Sequence, residues 1–378
     1  TKTNKLSKAV HSGLVKRAQD HQESLADDGV GYFATIEVGS PAQTIRVQID
    51  TGSSDLWFPG TNNPQCPQGT ATPIDQGSPY QDDFDYCLRS AQYDPGASSS
   101  WKVDSSAPAF HIEYVDYSFA TGSWGTDNVQ WNDVTIDNFF LASAQNSNAT
   151  SVFGIALTTD ESSNEGSDAF QYPNFPQRLK SDGYISKIVY SLYPSEDPYT
   201  TSGDIDITLL FGGVDTAKYS GTLEVFPLDS NYDLAITLTG ISTDISGQTS
   251  VASTQSLSAV LDSGTTLQAL PYNIVEQLAY NLGGSGETDS YGYFIVPCNY
   301  GSDDHITYTF GTKNINVPVE AVVSSDGNGN CALAIEPTNG LTILGDTFLI
   351  NAYVVYDLED REIAIAQAKY TSTENIQP

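Results

Sequence analysis

Methionine is absent from this chain of 378 residues, and basic residues are scarce. Fifteen Lys and Arg stand against 47 Asp and Glu, for a formal net charge of −32. So acidic a surface repels a phosphate backbone, which sets nucleic acid aside as a partner. Anionic membrane surfaces are disfavoured for the same reason. No run of about 18 apolar residues occurs, so no segment reads as a bilayer-spanning helix. The four histidines, His11, His21, His111 and His305, are scattered and form no ligand pair, and neither a metal nor a cofactor is expected. The four cysteines lack the CxxC spacing of a zinc or redox centre. Cys66 and Cys87 fall in one half of the chain and Cys298 and Cys331 in the other, so two local disulfides are the economical reading, in an oxidising, secretory compartment. The missing methionine fits that reading if the initiator and any leader precede Thr1. The acidity itself suits work at low pH, where many carboxylates are neutralised, and equally suits plain solubility through charge.

What the chain has in quantity is β-forming material. Hydrophobic residues make up 39%, with 22 Tyr and 15 Phe, enough to bury a core. Gly, Ser, Thr, Val and Ile are plentiful, a mixture of many short strands joined by turns. GYFATIEVG and TIRVQID alternate as two strands around a Ser40-Pro41-Ala42 turn. Strand patterns resume at AFHIEYVDYSF, NVQW and VTIDNFFLA, and helices are expected at 174–182 and 272–281. PSEDPYTTSGD, 194–204, is the most linker-like stretch near the middle. The length suggests two or three domains or one bilobal unit. The division expected is a basic arm at 1–17, an N-terminal lobe at 18–216 and a C-terminal lobe at 217–378. The arm holds five of the fifteen basic residues, no acidic ones, and ends in Lys16-Arg17. In a secretory protein this reads as the remainder of a pro-segment cut at a dibasic site, with Ala18 as the mature terminus. An ordinary loose chain end is the plainer alternative. Asn148-Ala-Thr is a glycosylation sequon compatible with secretion.

One short phrase is written twice. VQIDTGSS at 47–54 and AVLDSGTT at 259–266 both place apolar residues before an aspartate, then a hydroxyl residue, a glycine and two more hydroxyl residues. Asp-Ser/Thr-Gly should occur by chance roughly 0.2 times in a chain of this length. A second echo follows each copy: SVFGIAL at 151–157 and TILGDTF at 342–348. Each half therefore runs from an Asp-hydroxyl-Gly phrase through intervening strands to an apolar-Gly phrase, the order of a duplicated half-domain. A glycine there lets the chain turn sharply and leaves backbone N–H groups open to the carboxylate. Two such carboxylates meeting about a pseudo-twofold axis cannot both ionise cheaply and share one proton. One is then a base and the other an acid toward a water attacking an amide; the dyad of the aspartic proteases is a standard example of this coupled titration.

The chain resembles the pepsin-like aspartic proteases from about Gly31 to Tyr370. The resemblance rests on QIDTGSSDLW (48–57), VLDSGTT (260–266), SVFGIAL and TILGDTFLINAYVVYDLEDREIAIAQ (342–367). It implies an all-β, bilobal fold of two pseudo-twofold-related β-rich lobes with a few short helices. Asp50 and Asp262 are implied as the catalytic pair, with Gly52, Ser53, Gly264 and Thr265 supporting them. IEYVDYSFATGSWGTDNV (112–129) stands where the family has a hairpin flap, with Tyr114 as its tyrosine, Asp116 as a further flap residue and Trp57 as partner of the tyrosine hydroxyl. Relatives commonly carry glycines after that tyrosine, where Val115 and Tyr117 stand here. Cys298–Cys331 matches the usual second-lobe disulfide. Cys66–Cys87 matches the first-lobe one, around a longer loop of 20 residues.

The long cysteine loop, the Lys16-Arg17 pair and the C-terminal run are most similar to fungal secreted or yapsin-type members. The loop carries Asp75, Asp82, Asp83 and Asp85 beside Tyr80, Phe84 and Tyr86. It would favour substrates with Lys or Arg if it overhangs the cleft, or is simply a solvated acidic loop. The function implied is a secreted, acid-active endopeptidase made as a zymogen, at work outside the cell, at its surface or in a vacuole. It is expected to be a monomer, to take protein or peptide substrates in an interlobe cleft and to bind pepstatin-type inhibitors. The alternative is a catalytically inactive homologue that binds peptides or proteins, whose usual sign, a lost aspartate or glycine, is missing from both phrases. A glycosidase with paired carboxylates would not explain the duplicated phrase.

Overall fold

The computed structural model describes residues 21–27, 31–66, 92–166, 168–199, 206–325 and 329–377. They divide into two compact units: Tyr32–Ile188, and a second made of Val189 onward with the residues before Tyr32.

In the first unit the alternating sequences become strands Tyr32–Val38 and Gln43–Asp50, paired from Phe33↔Gln48 to Val38↔Gln43. Their inward residues, including Ile36, Val38, Ile45, Val47 and Ile49, are fully buried. Tyr32–Val38 also pairs with the long strand Phe119–Trp131 at Glu37 and Val38. Between those two neighbours run Val152–Gly154, Leu56–Pro59 and Val134–Ser147, so the strands close into a ring that leaves no free edge among them. The core holds Trp57, Phe110, Trp124, Val152 and Tyr172. Trp124 meets Phe110 edge-on at 4.8 Å and stacks on Phe140 at 5.2 Å, contacts that each add roughly 0.5–1.5 kcal/mol beyond burial alone. The helix expected at 174–182 forms at Phe175–Ser181 and buries Phe175 against Phe153 and Trp131.

The second unit is also β-rich. One run of strands pairs in the order Tyr219–Pro227, Glu362–Ala368, Ala352–Asp357, Val189–Pro194, Ile207–Phe211 and His21–Asp27. A five-stranded sheet orders Ala235–Leu238, Leu257–Leu261, Thr342–Leu344, Gln268–Pro271 and Ile335–Thr338. The helix Tyr272–Asn281 spans the expected residues and buries Ile274, Val275, Leu278 and Ala279 on one face. It ends where Gly283 takes a φ of +90° and the Gly284 N–H bonds back to Ala279 O at 2.8 Å.

Two features differ from the sequence reading. The units change at Ile188/Val189, whereas the expected lobe boundary stands at 216/217. Val189–Pro194 and Ile207–Phe211 pair with each other, and Val189–Pro194 also pairs with Ala352–Asp357, which draws this stretch into the second unit. The linker-like 194–204 accordingly joins two paired strands of one unit, and its residues 200–204 lie outside the described ones. Ser, Pro, Asp and Gly write a loop in the same way whether it separates domains or closes a hairpin. His21–Asp27, which has no clear alternation, forms a strand through backbone pairing with Ile207–Phe211. Among the described residues no helix is long and apolar enough to cross a membrane.

Candidate active site

The duplicated phrases fold to the same local structure. In the first unit, Gln43–Asp50 runs parallel to Val152–Gly154, with Asp50 opposite Gly154. The chain then loops and returns as Leu56–Pro59, antiparallel to the same short strand. In the second unit, Leu257–Leu261 runs parallel to Thr342–Leu344, which puts Asp262 level with Gly345, and the chain returns as Gln268–Pro271 antiparallel to it. The apolar-Gly echo is thus the strand that each aspartate loop wraps. Its glycine is required by the closeness of that loop. A Cβ on Gly154 would lie 2.5 Å from the backbone nitrogens of Ser54 and Asp55, and one on Gly345 would lie 2.2 Å from Thr265 O.

Each carboxylate is held by the same two donors. Asp50 Oδ1 accepts the Gly52 N–H at 2.7 Å and Oδ2 accepts the Ser53 hydroxyl. Asp262 Oδ1 accepts the Gly264 N–H at 2.8 Å and Oδ2 accepts the Thr265 hydroxyl at 2.6 Å. Asp50 keeps 6% of its surface exposed and Asp262 8%. Both are therefore fixed in orientation and nearly buried. These contacts set Gly52 and Ser53 against Asp50, and Gly264 and Thr265 against Asp262.

The loops part five residues on. Asp55 follows the first phrase where Leu267 follows the second. Its buried carboxylate accepts the Tyr172 hydroxyl at 2.5 Å and the Ser162 N–H at 2.8 Å. In the second unit the buried polar side chain at the next position is Gln268, which accepts the Tyr308 hydroxyl and donates to Thr347 Oγ1 at 3.2 Å. Asp55 was quoted within the motif but given no role. Glu161 and Tyr172 were missed altogether. The available signal was the mismatch itself, an acid in one copy of a buried phrase where the other carries leucine.

AFHIEYVDYSF does not run as one strand. It is the hairpin Phe110–Glu113 with Phe119–Trp131, folded over at 114–118. Asp116 Oδ1 accepts both the N–H and the hydroxyl of Ser118, at 2.9 and 2.6 Å, and Tyr117 turns the chain with a φ of +67°. A short acceptor side chain two residues before a free N–H ends a strand in this way. The Trp57 indole N–H donates to Tyr114 Oη at 2.8 Å, leaving that hydroxyl free to donate. Burial, and after it the charge of Asp50, hold the Tyr114 phenol well above its usual range, so it keeps its proton.

Cys298 and Cys331 are bonded, with Cα atoms 5.2 Å apart. Cys66–Cys87 depends on Cys87, which lies outside the described residues, as do Lys16, Arg17 and the acidic loop residues Asp75, Asp82, Asp83 and Asp85. Asn148 is partly buried at the foot of the flap hairpin, where its Oδ1 accepts the Phe119 N–H at 2.7 Å. Among the described residues no group of three or more His, Cys, Asp or Glu stands together as a metal site.

A family model described as eukaryotic aspartyl protease matches residues 31–368. The chain is 35% identical over 385 aligned positions to aspartic proteinase yapsin-3 of Saccharomyces cerevisiae, covering 96% of this chain and 72% of that protein. It is 36% identical over 376 positions to secreted aspartic protease 3 of Candida albicans, covering 97% and 87%. It is 35% identical over 377 positions to the probable aspartic-type endopeptidase opsB of Aspergillus oryzae, covering 95% and 73%.

Proposed function

The chain belongs to the eukaryotic aspartyl protease family, a family of hydrolases with the pepsin-like fold, and from that premise we propose that Asp50 and Asp262 act as one dyad in an acid-active endopeptidase. The observation that carries the reading is the matched support of the two carboxylates, each bonded by the N–H two residues on and the hydroxyl three residues on. Donors of that kind fix both oxygens of each carboxylate, and an oxygen that accepts one hydrogen bond keeps a second lone pair to work on a water. One carboxylate takes a proton from the water as its oxygen bonds to the amide carbon. The other gives its proton to the carbonyl oxygen, and the π pair moves onto that oxygen. The tetrahedral diol then collapses: a hydroxyl proton passes to the ionised carboxylate, the other carboxyl gives the nitrogen the proton it took from the water, and the C–N bond breaks to leave a carboxylic acid and an amine. Tyr114 and Trp57 brace the hairpin that excludes water from this step.

The substrates are proteins or peptides, and a pepstatin-type inhibitor competes with them. The names of the relatives, one of them a secreted protease, support a secreted enzyme, at work outside the cell, at its surface or in a vacuole. The enzyme is a monomer, makes no use of nucleic acid, and carries a glycan at Asn148. It is made as a zymogen whose basic arm, residues 1–17, is removed after Lys16-Arg17. The acidic loop between Cys66 and Cys87 favours Lys or Arg near the scissile bond.

One experiment tests the core of this reading: digestion of a denatured protein at pH 3–5 by the processed enzyme, with and without pepstatin, followed by mass spectrometry of enzyme and products. Cleavage that pepstatin abolishes is expected, with an enzyme beginning at Ala18 and products cut beside basic residues. No cleavage favours the inactive, peptide-binding alternative. An N-terminus upstream of Lys16 removes the zymogen claim, and unchanged preferences when the four loop aspartates become asparagine remove the specificity claim.

A further inference from the structure

Two buried carboxyl groups in the first unit have no place in the chemistry above. Asp55 lies on the loop that carries Asp50 and is fully buried. Its backbone serves that loop, its carbonyl accepting the Gly154 N–H at 2.9 Å. Its side chain reaches elsewhere, to the Tyr172 hydroxyl and the Ser162 N–H. Glu161, 1% exposed, takes the Tyr172 N–H on Oε2 at 3.0 Å, and among the described residues its Oε1 has no hydrogen-bond partner. Tyr172 is therefore gripped by an acid at each end, hydroxyl and amide. Its ring packs on Trp124 at 5.6 Å and Phe140 at 4.7 Å, in the core cluster that holds Trp57. Trp57 in turn bonds Tyr114 of the flap hairpin.

We propose that Asp55, Tyr172 and Glu161 are positioning residues, a buried cluster that fastens the Asp50 loop and the Trp57–Tyr114 contact to the 161–172 segment in acid and releases them as pH rises through neutrality. The proposal rests on Asp50 being catalytic. The geometry carries the fastening: removing any member frees one of the three segments.

The surroundings carry the pH dependence. The groups acting on Asp55 are Tyr172 and Ser162, through hydrogen bonds, and Glu165, through its charge. Those acting on Glu161 are the Tyr172 N–H and the charge of Asp55. Tyr114, across the loop, feels both Asp50 and Asp55. None of these groups is a cation. Burial pushes the Glu161 carboxyl from 4.5 up to about 9, and it also raises Asp55. An acid whose folded value is raised binds its proton more tightly in the folded protein. Its stabilising effect is complete below about pH 4.5, declines as pH rises, and is gone above about pH 9. The structure is thus matched to acid, where both carboxyls are neutral and an oxygen without a partner costs least.

The test uses a reporter confined to this unit, because all four tryptophans, Trp57, Trp101, Trp124 and Trp131, fall within Tyr32–Ile188. Tryptophan fluorescence is followed from pH 4 to pH 9, and kcat and KM are measured at pH 4 before and after the excursion. The parent chain is expected to show a transition between these limits. Glu161→Gln still accepts the Tyr172 N–H and gains no charge, so its midpoint is expected to move up by about one pH unit or more, with kcat at pH 4 within about twofold of the parent. Glu161→Ala is expected to lower kcat at pH 4 with little change in KM, and glutamine to restore it. If Glu161→Gln fails to fold, Asp55→Asn gives the same readout, since Asn can accept from Ser162 while donating to the Tyr172 oxygen. Coincident midpoints for the parent and a folded variant overturn the proposal. So does a parent with no transition. A shifted transition in a protein that cleaves no peptide at any pH overturns the catalytic reading instead, and the positioning role with it.

Discussion

Around Asp50 and around Asp262 the backbone does the same things, and five residues downstream the side chains part company. Both aspartates sit opposite a glycine of a short apolar strand, both carboxylates accept an N–H and a hydroxyl, and both loops return antiparallel to the strand they left in parallel. Beyond that, one unit buries Asp55 with Tyr172 and Glu161, while the other buries Gln268 with Tyr308 and Thr347. The shared part is what holding a nearly buried carboxylate in one orientation requires. The part that differs shows two solutions to anchoring such a loop, one made of titratable acids and one of a neutral amide. The first ties the stability of its loop to pH through Asp55 and Glu161.

The comparison breaks most readily at the two glycines. Gly154→Ala and Gly345→Ala each force a methyl group against backbone, and each is expected to cost about 3 kcal/mol or more in denaturant unfolding at pH 5. Gly345→Ala should cost at least as much, because its nearest atom is 2.2 Å away against 2.5 Å. Equal, small losses would mean that the loops adapt and the tight wrap is not needed. Removing the matched hydroxyls comes next. Ser53→Ala and Thr265→Ala should each lower kcat about tenfold or more at pH 4 with KM little changed. A large effect at one site alone would show that the two halves are not equivalent in use. The smallest effect is expected at the flap tip, which has no counterpart in this comparison. Tyr117 is 80% exposed at a φ of +67°, a backbone region costly for any residue with a Cβ. Tyr117→Gly should raise unfolding stability by up to about 1 kcal/mol, and a loss would mean that the exposed ring makes contacts worth more than the strain.

The strands, both longer helices, the two aspartate phrases and their glycine partners were legible because each has a local signature. Alternation marks Tyr32–Val38 and Gln43–Asp50, and helical spacing marks Tyr272–Asn281. A repeated phrase marks the two aspartate loops even though they lie in different units. The Trp57–Tyr114 bond and the Cys298–Cys331 bridge followed from resemblance rather than from spacing. What stayed hidden depends on contacts between segments far apart in sequence. The strand His21–Asp27 has no pattern of its own and exists through its pairing with Ile207–Phe211. The stretch 194–204 has the composition of a linker, and only the pairing on either side of it shows a hairpin connection. Asp55 reads as one more polar residue of a loop until Tyr172, more than a hundred residues on, is placed against it.

The central claim is that two phrases make one site, and the most direct measurement is the kcat of Asp50→Asn, Asp262→Asn and the double variant on one peptide at pH 4. If the aspartates work as a unit, each single change should lower kcat by about 10⁴-fold, and the double change should lower it little further. Substantial activity in either single variant, or losses that multiply in the double, would contradict the account.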